Sequence, residues 1–312
     1  MFQISKPLFL ICETPLHAGS GDSLGIVDLP IQREKHTSFP KIEASSLKGA
    51  LREAFEEESE RVPEKSKINK NKILKAFGPE ETSGDGSSAG SLGFTDARLL
   101  LFPVKSMKGI FALITCYKVL SRFSDDLVLS KMEGISNIVN IEEGKAYPLG
   151  QQKLEFGNHF VLEEYTFKKE EGNNLTIQGQ NLADWLANHL FEKGTFWHDK
   201  VKNDILVLSN DDFKDFVNLS TEVSTRIKIN PETGTVEKGA LFTEEYLPAE
   251  SILYSLVLAS PEFINTKEKD EGKSRNNDAE SIMSFFSNNV PSVIQLGGNA
   301  TLGKGLLKTK MI

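Results

Sequence analysis

His17 lies within a glycine-rich stretch, 14–25, and Asp28 just after it, with Asp22 between them. A histidine and a carboxylate on one loop suit acid–base catalysis or the binding of a divalent metal. Such a pair arises often by chance, so its spacing alone decides nothing. Glu244 and Glu245, followed by Tyr246, stand just after a hairpin pattern. Their plain reading is a solvated strand end. Their chemical reading is a carboxylate added to Asp28, if the fold joins the two segments. His36, His159 and His198 have no partner pattern, and His189 reads as a helix-face residue. No HExxH, paired CxxC or EF-hand loop occurs.

A second constellation is the C-terminal loop 297–305, which carries Gly297, Gly298, Gly303, Lys304 and Gly305. Read from Gly298, it nearly matches the phosphate loop GxxxxGK[ST] of nucleotide hydrolases. Gly305 stands where that motif needs a magnesium-binding hydroxyl, and only seven residues follow, so an ATPase is disfavoured. The loop reads either as a tight turn between strands or as backbone N–H groups that, with Lys304, cradle a polynucleotide phosphate. Lys48 falls in the first turn of a helix that Ser45 or Ser46 can cap, where a bound anion would relieve its conflict with the helix dipole. The plain alternative is a Lys48 side chain pointing to water.

These groups need a scaffold. The chain has 312 residues, 39% hydrophobic and 26% charged, which excludes collagen-like, wholly disordered and disulfide-scaffold classes. The length allows one large domain or two. No apolar run approaches the roughly 20 residues of a membrane span, and the N-terminus reads as lacking a signal peptide, so no membrane partner is expected. Cys12 and Cys116 each lie in an apolar run and read as reduced core thiols of a cytoplasmic protein. Lys plus Arg number 36 against 44 Asp plus Glu, a net charge of −8. That balance argues against a nonspecific nucleic-acid binder, although a local basic groove can coexist with it.

Along the chain, 7–12 reads as a buried strand and 92–102 as a second, while 110–120 fits strand or helix. Leu47, Ala50, Leu51, Ala54 and Phe55 have helical spacing. Asn181 and Gly194 bracket a helix with Leu182, Trp185, Leu186, His189 and Leu190 on one face. Residues 225–236 read as a β-hairpin around the turn 230–234, with Arg226 and Lys228 on one cationic side. Segments 56–72, 80–93 and 265–280 read as charged or glycine-rich loops, and 251–259 and 290–296 as late strands. Strands and helices mix without a βαβ rhythm, which favours an α+β fold.

Residues 17–52, with Pro15-Leu-His17-Ala-Gly19 and Gly25-Ile-Val-Asp28 inside or beside them, closely resemble the N-terminal signature of the RAMP superfamily's repeated backbone subunit in type III-B CRISPR (Cmr) RNA-targeting complexes. Segment 239–248 and the loop 297–305 match the same family. The resemblance implies a single domain, 1–312. It would comprise a ferredoxin-like, RNA-recognition-type palm, inserted finger elements near 56–92 and 260–285, and a β-hairpin thumb near 221–248. It implies copies stacked along a guide CRISPR RNA beside other Cmr subunits, each cutting complementary single-stranded target RNA beside a thumb. The implied catalytic residues are Asp28, which also serves a divalent metal (Mg or Mn), with His17, Glu244 and Tyr246. RNA contacts are expected at Ser46, Lys48, Arg52, Arg226, Lys228, Gly297, Gly298, Gly303, Lys304 and Gly305. Ile26 stands where the family often has Val, a change without chemical weight.

Two alternatives keep the superfamily: a non-catalytic RNA-binding scaffold, and a metal-independent processing endoribonuclease with a histidine base. Dispensability of Asp28 is the mark of the first. A filament thumb and the Asp28 motif argue against the second.

Overall fold

A computed structural model of the chain describes residues 2–22, 25–61, 68, 70–79, 89–150, 153–172, 174–261 and 275–312. Within them the fold is α+β, with seven helices and a mixed, mostly antiparallel twelve-stranded sheet. Third from one edge is the strand Ile4–Cys12, flanked by Leu306–Met311 on one side and Ile252–Ala259 on the other, both antiparallel. Ala97–Lys105 continues the sheet beyond Ile252–Ala259. Then follow Phe111–Cys116, Ile205–Leu208, Lys145–Pro148, Tyr165–Lys169 and the edge strand His159–Leu162.

The strand Ile4–Cys12 is buried continuously from Pro7 to Cys12. Such a strand is covered on both faces, which is why it reads as one apolar run rather than an alternation. Phe9 pairs in register with Tyr254, and both pack edge-on against Phe123 of the helix Tyr117–Leu129, at 5.8 and 4.8 Å between ring centres. A second aromatic cluster joins the helices Ala44–Arg61 and Arg275–Asn289, where Phe55 stacks on Phe286 at 5.6 Å. Phe77 of the helix Lys70–Phe77 joins them through Phe55 at 5.3 Å.

Several expectations change. The helix expected to start at Ser45 or Ser46 runs over Ala44–Arg61, and its first N–H, on Ala44, donates to Asp96 Oδ1 at 2.9 Å. The cap therefore comes from a distant loop, and Lys48 sits past the first turn. Residues 56–61 and 70–72 are helical rather than loop, the latter opening the helix Lys70–Phe77, as are 275–280. Of the expected insertions, 62–67, 69, 80–88 and 262–274 lie outside the described residues. Segment 110–120 is both elements in turn, the strand Phe111–Cys116 followed directly by the helix Tyr117–Leu129. Segment 92–102 breaks at 95–96 into Leu92–Phe94 and Ala97–Lys105. Asn181 does cap its helix, through Ala183 N–H at 2.8 Å, but the helix stops at Leu190, before Gly194. The loop 297–305 leads into the strand Leu306–Met311. A phosphate loop of the nucleotide-hydrolase type feeds a helix, so the ATPase alternative falls.

Both cysteines are buried and unbridged. Burial pushes both thiols up, that of Cys116 to about 12. Among the described residues no helix is long and apolar enough to cross a membrane.

Candidate functional site

The strands Glu222–Ile229 and Val236–Tyr246 form an antiparallel hairpin that leaves the main sheet. Its base is laced to two segments from the N-terminal region. Leu16 and Leu247 exchange backbone hydrogen bonds at 2.9 and 2.8 Å, Leu29 N–H donates to Thr243 O at 3.0 Å, and Glu245 N–H donates to Leu29 O at 3.0 Å. The chain thereby delivers His17 and Asp28 to the same short piece of strand, 243–247, more than two hundred residues away in sequence.

Strand geometry sends neighbouring side chains to opposite faces, and here this separates the candidates. On one face Glu244 Oε2 accepts from Tyr246 Oη at 2.5 Å and from Arg226 Nε at 2.7 Å. Its Oε1 accepts from Asn299 Nδ2 at 2.7 Å and stands 3.6 Å from His17 Nε2. Asn299 Nδ2 also reaches Tyr246 Oη at 3.0 Å, and Arg226 donates to the same oxygen. His17 Nδ1 lies 2.7 Å from Glu245 O. Glu244 is 5% exposed and Tyr246 is fully buried. Burial pushes the Glu244 carboxyl up, but the hydrogen bonds from Tyr246, Asn299 and Arg226 outweigh it and hold the group below the usual glutamate range. Burial, and then the Glu244 bond, push Tyr246 up, so it remains a phenol.

On the other face Asp28 Oδ2 accepts from Thr243 N–H at 2.7 Å and from its hydroxyl at 2.8 Å. These two bonds, the backbone one first, hold the Asp28 carboxyl below the ordinary aspartate range. Asp28 is exposed. Glu245 shares this face and is structural: it pairs with Arg33 at 2.5 Å and accepts from Thr221 at 2.8 Å and from Ile31 N–H at 3.0 Å. Among the described residues no hydrogen bond or ion pair joins Asp28 to His17, Glu244 or Tyr246.

The loop 297–305 closes the site from the C-terminal side. Gly298 N–H donates to His17 O at 2.9 Å and Gly305 N–H to Pro15 O at 3.0 Å. Gly297 and Gly305 have φ of +83° and +73°, and a Cβ on them would stand 2.3 Å from His17 O and 2.0 Å from Leu296 O. Only glycine fits there. Lys304 Nζ lies 5.0 Å over the Tyr246 ring. His17, Gly297, Gly298 and Ser46 line one open cleft of about 370 Å³ between the loop and the helix Ala44–Arg61.

A family model described as the RAMP superfamily matches residues 9–308. The chain belongs to the RAMP superfamily. It is 37% identical, over 96% of its length and 92% of the relative's, to a Pyrococcus furiosus protein named CRISPR system Cmr endoribonuclease Cmr4. It also resembles the crystal structure of oligomeric Cmr4 from Pyrococcus furiosus, with a TM-score of 0.69 and 28% identity over 99% of this chain and 98% of that one. A type III-B Cmr-beta complex bound to cognate target RNA shares the fold, with a TM-score of 0.70 and 23% identity over 99% and 98% of the two chains.

Within this RAMP chain, the other expected RNA-binding residues are spread along the surface. Lys48 is half-buried, its Nζ donating to Leu92 O at 3.3 Å; desolvation, and then Arg52, lower its pKa. Arg52 Nε bonds Glu56 at 2.7 Å. The cationic side of the hairpin is internally compensated: Arg226 pairs with Glu244, and Lys228 with Glu237 at 2.9 Å. Gly303 makes the αL end of the 3-10 turn Ala300–Leu302. Among the described residues no group of three His, Cys, Asp or Glu side chains is placed to hold a metal. Asp28 alone does not make a protein-built metal centre, and an ion beside it would draw most of its ligands from outside the chain.

Sequence reasoning passed over three members of the site. Thr243 is an ordinary strand residue until Asp28 meets it. Arg33 reads as surface charge. Asn299, at φ +65°, carried a legible signal, because asparagine after paired glycines is a frequent left-handed residue.

Proposed function

We propose that this chain is a repeated backbone subunit of a type III-B CRISPR ribonucleoprotein that holds guide CRISPR RNA and cuts complementary target RNA at regular intervals. The observation that carries the catalytic half is Asp28: an exposed carboxylate, pinned by Thr243 at the foot of a protruding hairpin. The relative named an endoribonuclease supports that reading. The structure of oligomeric Cmr4 supports assembly of several copies.

The strand order Leu306–Met311, Ile4–Cys12, Ile252–Ala259, Ala97–Lys105, with the helices Ala44–Arg61 and Arg275–Asn289 on the connections, supports a ferredoxin-like palm. The hairpin 222–246 is its thumb. The cleft beside the helix Ala44–Arg61, lined by Ser46, Gly297 and Gly298, holds the guide by its backbone without reading bases, and the guide supplies sequence.

In the proposed reaction the 2′-hydroxyl of a splayed target nucleotide attacks its own phosphorus. The O2′–P bond forms and the P–O5′ bond breaks, leaving a cyclic phosphate and a 5′-hydroxyl. Asp28 positions the nucleophile and accepts its proton, while His17 orients or protonates the leaving oxygen, supported by Glu244 and Tyr246. The divalent ion is proposed as recruited together with the RNA.

The test is cleavage of complementary single-stranded RNA by the complex assembled on its guide. Evenly spaced cuts that Asp28→Ala reduces by about a hundredfold or more, with guide and target still bound, are expected. Cutting at the wild-type rate in Asp28→Ala would promote the scaffold reading instead.

A further inference from the structure

We infer that Asn299 is a positioning residue of the cleavage site, the link through which the glycine-rich loop sets Glu244, Tyr246 and hence the His17 ring; this rests on the nuclease reading above. The loop has no slack. Its glycines are clamped to Pro15 and His17 backbone oxygens, and neither Gly297 nor Gly305 admits a side chain. Between them Asn299 is held at φ +65°, and that conformation sends its amide toward the hairpin base.

Donor and acceptor chemistry fixes its orientation. An ionised carboxylate can only accept, so the group 2.7 Å from Glu244 Oε1 is the NH₂ end. Its second proton points to Tyr246 Oη at 3.0 Å. Tyr246 then has one proton of its own, given to Glu244 Oε2. Glu244 Oε1 is thus fixed at 3.6 Å from His17 Nε2, while Glu245 O fixes the other ring nitrogen. Glycine loops alone would serve a phosphate grip. A side-chain amide spanning two buried acidic groups adds nothing to such a grip, whereas it does restrict where an imidazole stands.

The experiment uses the complex assembled on its guide, with single-turnover cleavage and target affinity measured separately. The variants are Asn299→Gly, which keeps the left-handed backbone, and Asn299→Asp. Asn299 meets Glu244 and Tyr246, and among the described residues Arg226, His17 and Lys304 are the further charged or titratable groups against that pair. Asn299→Gly is expected to lower the cleavage rate about ten- to a hundredfold with target affinity within about twofold. Asn299→Asp sets a second carboxylate against Glu244 at neutral pH but donates once protonated. Its rate relative to Asn299→Gly is therefore expected to climb as pH falls from 7 to 5. Loss of target affinity in step with the rate, or unchanged cleavage in Asn299→Gly, overturns the inference. A wild-type complex that does not cut overturns the nuclease reading instead.

Discussion

Thr243 and Glu244 are consecutive residues on one strand, and they hold Asp28 and His17 apart on its two faces. Thr243 fixes Asp28 at 2.7 and 2.8 Å, and Glu244 faces His17 at 3.6 Å. The exposed acid and the buried network can therefore be separated by mutation.

Thr243→Val removes one of the two bonds to Asp28 Oδ2 and keeps the shape. Cleavage is expected to fall about tenfold, less than in Asp28→Ala, because the Thr243 N–H remains. The lowered Asp28 carboxyl stays ionised below the ordinary aspartate value of 3.8. The acid limb of a cleavage–pH profile above that value therefore belongs to another group, and the limb should stay where it is in Thr243→Val. Rate measurements from pH 4 to 8 check both points.

Glu244 links the hairpin to pH. Its folded carboxyl lies below the ordinary 4.5, so it contributes stability above that pH, and the contribution is lost as pH falls through the folded value. Glu244→Ala leaves the Tyr246 hydroxyl without its acceptor, takes one of two acceptors from Arg226 and from Asn299, and is expected to cost about 1–3 kcal/mol at pH 7. Thermal melts against wild type should converge between pH 4.5 and more acidic values. A gap that stays constant over that range contradicts the linkage.

Lys200 and Asp204 form a buried pair at 2.7 Å, with Lys200 Nζ also on Gly109 O at 2.6 Å and on Phe111 O. Lys200→Ala strands a carboxylate that is 6% exposed. The expected loss is about 3–5 kcal/mol, read by denaturant unfolding, although the pair takes no part in the proposed chemistry.

The hairpin tip 230–234 is a local turn, closed by Asn230 N–H to Thr235 O at 2.8 Å and Gly234 N–H to Asn230 O at 2.9 Å. Deleting it removes no buried apolar side chain, so the fold and its melting temperature should persist. Regular spacing of target cuts is expected to vanish. Unchanged spacing on a sequencing gel would place the thumb elsewhere, for instance in 156–180.

By itself the sequence determined the elements whose signals are local. The apolar run 7–12, the Asn181 cap and the turn 230–234 are each written in a few neighbouring residues, because burial, capping and turn formation act over that range. The family was also legible, since residues 17–52 form one long contiguous match. Tertiary structure decided what lies between distant segments. Asp96 caps a helix some fifty residues earlier, which no local pattern at Ser45 or Ser46 reveals. Arg226 looks like a free cation for phosphate until Glu244 returns beside it across the hairpin. The division of His17 and Asp28 between two faces depends on which of two adjacent residues each one meets. A one-residue change of register would exchange Thr243 for Glu244. Only the folded sheet sets that register.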